Sequence, residues 1–112
     1  MSGAGQGGPA AMRLAMLEQM VVAKPDEPFP RYGLAMEYKK LDRHDDAVAT
    51  FEGLLSDHPR YVPSYLMFGN LLEALGRPER AAEVYAAGVA VAEQTGDDHA
   101  LGELRAARDA LG

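Results

Sequence analysis

Apolar residues recur along this chain at the three- and four-residue spacings of amphipathic helices, in six separate segments. They predict helices over about 10–24, 29–41, 44–57, 63–75, 78–94 and 99–111. Proline or glycine stands at most of the boundaries, as in Lys24-Pro25 and His58-Pro59. No strand-like alternation of any length interrupts the pattern. The chain is therefore predicted to be all-α, with about six helices.

The pattern repeats itself after 34 residues without a gap. The aligned residues are similar in size and polarity: Leu34 with Phe68, Ala35 with Gly69, Ala47 with Ala81, Phe51 with Tyr85, and Pro25 with Pro59. Asp42 and Gly76 follow the first helix of each cycle, and both residue types tolerate the left-handed conformation that ends helices. A fixed period of this length is typical of a stacked array of one helical unit, which mainly presents a binding surface.

Composition narrows the classes of partner. The 112 residues carry a net charge of -6, which disfavours binding to nucleic acid or to an anionic membrane surface. There is no cysteine, which excludes disulfides and thiolate metal sites and fits a cytoplasmic protein. The glycine-rich residues 1–9 resemble no signal peptide and are predicted to be a disordered tail. Residues 10–112 are predicted to form a single domain.

The repeated residues resemble those of a tetratricopeptide repeat (TPR) protein of the small stand-alone bacterial type. Repeat 28–61 supplies Leu34-Ala35, Tyr38, Ala47, Phe51 and Pro59; repeat 62–95 supplies Tyr65, Phe68-Gly69, Leu72, Ala81 and Tyr85. The resemblance implies a right-handed α-solenoid of antiparallel helix pairs. Residues 10–27 would form a preceding half repeat, and residues 96–112 a capping helix.

In this family the first helix of each pair lines a concave groove, so the resemblance implies a groove that binds a peptide or partner protein. The corresponding residues are Tyr32, Met36, Lys39, Lys40, Leu66, Asn70 and Glu73, with Ala100 and Leu104 extending the surface. Packing between helices accounts equally well for the apolar character of Tyr32, Met36 and Leu66. For Lys39 and Lys40 the simpler explanation is that a cation is favoured at the negative C-terminal end of a helix. The Lys, Asn and Arg clamp with which some members bind chaperone tails is not matched.

No catalytic constellation is present, and neither an enzyme nor a cofactor is expected. The charged run Asp42–Asp46 lies at a predicted turn and helix start, where the helix dipole favours carboxylates, and this explanation is preferred to a metal site. The histidines form no H-E-x-x-H motif, and phosphate-binding and nucleophile-elbow motifs are absent.

Two functions of different class remain open. The first is a non-enzymatic adaptor that binds a peptide or partner protein of unknown identity in the groove. The second is a structural protein that self-associates, for example as a homodimer, through its stack ends or its first helix. The second function is suggested by the half repeat at residues 10–27. Because its helix pair is incomplete, Met12, Met16 and Met20 would be left uncovered.

Overall fold

The structure, a computed structural model, describes residues 8–112, which form six α-helices and no strand. The helices are α1 (Pro9–Ala23), α2 (Pro28–Lys40), α3 (His44–Asp57), α4 (Pro63–Ala74), α5 (Pro78–Thr95) and α6 (Asp98–Ala110). The predicted all-α class is confirmed, and each boundary lies within one residue of its prediction. The predicted disordered tail falls largely on residues 1–7, outside the described part of the chain, and α1 begins at Pro9.

Four of the six helices begin at a proline: Pro9, Pro28, Pro63 and Pro78. Proline suits this position because the first helical N–H has no partner within the helix and the fixed φ is already helical. Helix α6 begins differently, with an aspartate at its N-cap. The side chain of Asp97 accepts a hydrogen bond from the backbone N–H of Ala100 at 3.1 Å.

Left-handed residues stand at the positions predicted to stop helices. Asp42 follows α2 with φ of 58°, and Gly76 stands at the matching position after α4 with φ of 73°. Gly96 ends α5 in the same conformation, with φ of 72°. Asp42 is the only residue other than glycine with positive φ among the described residues, and aspartate is one of the few types that tolerate it.

The chain divides into two compact units, and the first comprises the described residues up to Thr50. In this unit α1 packs along α2. Leu17 on α1 contacts the backbone of α2 at Gly33, where an added Cβ would lie 3.3 Å from Leu17 Cδ2. Leu34 and Ala35 on α2 are buried. The single domain over residues 10–112 stays a prediction.

The second unit, Phe51–Gly112, contains α4, α5 and α6. Helix α4 packs against α5, and α6 packs against both. The ring of Phe51 stacks on that of Phe68, with centroids 5.3 Å apart. Gly88 on α5 leaves room for Tyr65 and Leu104, whose atoms would lie within 3.0 Å of an added Cβ. The largest fully buried apolar side chains of this core are Phe51, Leu54, Phe68, Leu71, Leu72, Val84, Tyr85 and Leu104.

Among the residues that the structure describes, no helix is long and apolar enough to cross a lipid bilayer.

Candidate functional site

The four predicted contact residues of α2 share one side of that helix, because Tyr32, Met36, Lys39 and Lys40 follow the helical spacing. Tyr32, Met36 and Lys39 are half-buried, and Lys40 is exposed. Both lysines stand in the last turn of α2, where the negative end of the helix dipole favours a cation. Their position therefore agrees with the simpler explanation, a favourable interaction with the helix dipole.

The three predicted contact residues of α4 lie on successive turns of one side. Leu66 and Asn70 are half-buried, and Glu73 is exposed. Glu73 is the only charged residue within α4. The contact residues of α2 belong to the first unit and those of α4 to the second. The predicted contact residues therefore form two separate sets, one on each unit.

The hydroxyl of Tyr85 connects Asn70 and Glu73. The ring of Tyr85 is fully buried, and its hydroxyl lies 2.7 Å from Asn70 Oδ1 and in hydrogen-bond contact with Glu73 Oε2. A phenol has one proton, so it cannot donate fully to both acceptors. Donation to the Glu73 carboxylate is the stronger bond, and a rotated Asn70 amide then donates from Nδ2 to the Tyr85 oxygen.

Burial raises the pKa of Tyr85 well above its usual value, and the hydrogen bond to Glu73 and the negative charge of that carboxylate raise this pKa further. Tyr85 therefore remains a protonated donor throughout the physiological pH range. The sequence analysis identified Tyr85 only as a residue of the repeat pattern. The available signal was that a buried tyrosine hydroxyl requires a hydrogen-bond partner.

A second tyrosine–carboxylate pair joins α1 to α2 in the first unit. Tyr38 donates its hydroxyl proton to Glu18 Oε2 at 2.9 Å, and the guanidinium of Arg43 lies 4.8 Å from the centroid of its ring. Burial raises the pKa of Tyr38, with a further contribution from the hydrogen bond to Glu18. Arg13 on α1 also pairs with the buried carboxylate of Glu37 at 3.3 Å. Sequence analysis identified neither pair.

One predicted extension of the surface is wrong. Leu104 was predicted to continue the contact surface on the last helix, but its side chain is 1% exposed and packs against Gly88 of α5. The reason is the amphipathic character of α6, whose inward side needs a large apolar residue at this position. Ala100, the other residue of this extension, is half-buried.

The charged run Asp42–Asp46 forms local interactions. Arg43 makes an ion pair with Asp46, with 2.8 Å between Nη2 and Oδ2, and Asp45 and Asp46 lie in the first turn of α3. Within residues 8–112, no three side chains of histidine, aspartate or glutamate come together as metal ligands.

The comparisons with known proteins agree with the repeat. A tetratricopeptide repeat family model matches residues 31–56 and 62–95. A search among proteins of curated function finds no match.

Solved structures resemble the chain over most of its length. The crystal structure of a tetratricopeptide repeat domain protein from Salinibacter ruber is 40% identical, with 76% of this chain and 96% of that one covered and a TM-score of 0.72. A solution structure of a tetratricopeptide repeat domain protein from the same organism is also 40% identical, covering 78% and 88%, with a TM-score of 0.74. A protein from Bordetella parapertussis, 24% identical, covers 88% and 85% with a TM-score of 0.73, which shows a shared fold.

Members of this family are in general non-enzymatic scaffolds for protein–protein interaction. The 34-residue period, the helix pairs and the matched family model together show that this chain belongs to the tetratricopeptide repeat family.

Proposed function

We propose that this protein is an adaptor that binds a peptide or partner protein through the exposed sides of α2 and α4. These are the first helices of the two full repeats, and they carry the predicted contact residues. The α2 side offers an aromatic ring at Tyr32 and a thioether at Met36, next to the cationic Lys39 and Lys40. The α4 side offers an apolar contact at Leu66 beside the polar Asn70 and Glu73.

The observation that carries the proposal is the hydrogen-bonded cluster of Asn70, Glu73 and Tyr85. A fully buried tyrosine holds two polar groups in position on an accessible helix side. Fixing polar groups before binding reduces the entropy that a complex must lose. With one atom of its amide bound to Tyr85, Asn70 presents the other to a partner's backbone, and Glu73 keeps its second oxygen for a donor.

The partner class follows from charge and composition. A net charge of -6 leaves a protein or peptide as the expected partner and disfavours nucleic acid and anionic membranes. We place the protein in the bacterial cytoplasm, in keeping with the absence of cysteine and the bacterial origin of its structural relatives. Neither a cofactor nor a catalytic step is part of the proposal.

Affinity capture with three baits tests this function. The baits are wild type, a Tyr32→Ala/Leu66→Ala variant and a Val22→Ala/Glu52→Ala control. Circular dichroism first shows that all three fold. Each is then immobilised, and lysate of the source organism is passed over it. The control removes two exposed side chains from α1 and α3, so it shows whether a loss of binding is specific to α2 and α4. We expect a protein that wild type and control retain and the α2/α4 variant loses. Equal retention by all three baits would refute binding at these helix sides.

A second candidate function is self-association through α1, and exposed apolar side chains favour it. Met12, Met16 and Met20 are 65%, 61% and 40% exposed, and Val22 is 80% exposed. Together with Phe29 they are the large hydrophobic residues exposed among the described part of the chain. A sedimentation measurement over a range of concentrations separates the two functions, because an adaptor that works as a monomer keeps a constant mass.

A further inference from the structure

The outer side of α1 is largely apolar and contains no charged residue. The helix contains two charged residues, Arg13 and Glu18, and both are bound to α2: Arg13 to Glu37 at 3.3 Å and Glu18 to Tyr38 at 2.9 Å. The inward side of α1 carries Leu17, which contacts α2 at Gly33. At 100° per residue, an arc of about 160° that faces away from α2 contains the exposed Met12, Met16 and Val22 together with alanines and Gln19, and Met20 stands at its edge.

The middle of this arc has the spacing of a coiled-coil seam. Its residues are Met12, Met16, Gln19 and Ala23, separated by four, three and four positions. This alternation of threes and fours is the pattern by which one helix packs against another along a straight line. The four seam residues are uncharged, and the charged residues Arg13 and Glu18 lie to either side of the arc.

The seam is complementary to itself in the antiparallel direction. In an antiparallel pair, residues whose numbers sum to a constant face each other, and a two-fold axis midway between residues 17 and 18 places Met12 opposite Ala23. The same axis places Met16 opposite Gln19. The Met12–Ala23 layers then combine a long side chain with a short one, which is how packed layers fill space. The two central layers combine the unbranched, uncharged side chains of Met16 and Gln19. A shallow, open depression lies beside the seam and can receive such a side chain. It is lined by Ala15, Gln19, Val22 and Ala23, with Glu18 at its edge.

We propose that α1 pairs with α1 of a second copy of this chain, antiparallel about a two-fold axis, with Met12 on Ala23 and Met16 on Gln19 of the second copy. A two-fold interface requires one surface to complement itself, and this seam does so. The protein carries a net charge of -6, yet the four seam residues contribute no charge to the contact. This pairing rests on self-association, the second candidate function, and is independent of peptide binding at α2 and α4.

The size of the surface sets the strength of the pair. Fifteen helical residues extend about 22 Å, and one side of a helix is about 10 Å wide. Two such sides bury less than the roughly 800 Å² per partner of a stable interface. The dimer is therefore weak and reversible, and it forms as the protein concentration rises.

Sedimentation equilibrium gives the first test. We expect the mass of wild type to rise from 12.0 kDa toward twice that value with concentration. Met16→Glu places a carboxylate next to the two-fold axis and is expected to keep the protein monomeric at every concentration. Phe29→Glu is the matched control, because Phe29 is 68% exposed but lies outside α1, and it is expected to dimerise like wild type. A wild type that stays monomeric would overturn self-association and this pairing together.

Disulfide trapping gives the second test and reports direction and register. The chain has no cysteine, so Met12→Cys and Ala23→Cys variants each carry a single thiol. When equal amounts are mixed and oxidised, the antiparallel pair predicts that the mixed disulfide exceeds the half share of random pairing. Mass spectrometry distinguishes the products. A Met12→Cys and Glu52→Cys mixture is the control and is expected to give random shares. Random or same-variant products from the first mixture, in a protein that dimerises, would overturn this pairing while self-association stands.

Discussion

The backbone of Gly69 on α4 lies directly against the ring of Tyr85 on α5, with no space for a side chain between them. A Cβ added to Gly69 would lie 2.6 Å from Cδ1 of that ring and closer still to Cε1. The ring is itself fully buried and cannot move aside. This close approach also allows the Tyr85 hydroxyl to reach Asn70 and Glu73 on the accessible side of α4.

We therefore expect Gly69→Ala to destabilise the protein. The added methyl group displaces a buried ring, and overpacking of this kind costs about 1–3 kcal/mol of unfolding free energy. Urea unfolding followed by circular dichroism measures the change. A shift of the Asn70 side-chain amide resonance would show that the displaced ring has also disturbed the hydrogen-bonded cluster.

Gly102→Ala is the matched control for that variant. Gly102 lies within α6 and is exposed. A Cβ added there would have no atom within 4 Å apart from its chain neighbours and the nearby backbone of its own helix. Alanine at an exposed position inside a helix is more favourable than glycine by about 0.5–1 kcal/mol, so this variant should be more stable than wild type. If the two substitutions changed stability in the same direction, the close approach at Gly69 would not be the cause.

Local signals along the chain predicted the helices well because the features that begin and end them are local. Prolines begin four helices, and the left-handed conformations of Asp42 and Gly76 follow from their residue types. The small residues Ala35 and Gly69, aligned by the 34-residue repeat, are both buried. The repeat identifies these positions as sites of close helix packing, and this prediction does not depend on any side-chain rotamer.

The polar contacts could not be predicted in the same way. Arg13 and Glu37 are separated by 24 positions, and Tyr85 is separated by 12 positions from Glu73. Whether such side chains meet depends on rotamers and on the rotation of each helix about its axis, which a periodic pattern fixes only coarsely. The error at Leu104 has the same origin, since a small rotation of α6 decides which of its leucines faces the core.

Ala47→Leu and Ala81→Leu are expected to destabilise the protein, each by about 1–3 kcal/mol, because larger side chains have no room at positions that are 0% exposed. The matched control is Glu52→Leu, at an exposed position of α3, which should change stability little. Thermal melts of the three variants provide the comparison. Equal melting temperatures would show that the helix sides have been assigned wrongly.

Asp97→Ala removes the N-cap of α6 and is expected to cost about 1 kcal/mol of unfolding free energy, because the backbone N–H of Ala100 loses its acceptor. Asp97→Asn keeps an oxygen at the same place and should retain most of the stability. Chemical unfolding of both variants measures the difference. A loss of the same size in Asp97→Asn would assign the effect to the charge of Asp97 instead of its hydrogen bond.

The Tyr85 hydroxyl is expected to make stability depend on alkaline pH. Folding raises the pKa of Tyr85 above its unfolded value, because burial and the Glu73 carboxylate both disfavour the phenolate. The stabilisation is therefore complete below the unfolded pKa of about 10 and is lost as the pH rises from there toward the folded pKa.

Tyr85→Phe removes this titrating group together with its hydrogen bond. At neutral pH we expect a loss of about 1 kcal/mol, the usual net contribution of one hydrogen bond. Above pH 10 the melting temperature of the variant should fall less steeply with pH than that of wild type, because one fewer phenol ionises on unfolding. Glu73→Gln should also reduce the slope, because it removes the negative charge that opposes ionisation of Tyr85. Parallel alkaline slopes in all three proteins would mean that the contact between Tyr85 and Glu73 does not govern this titration.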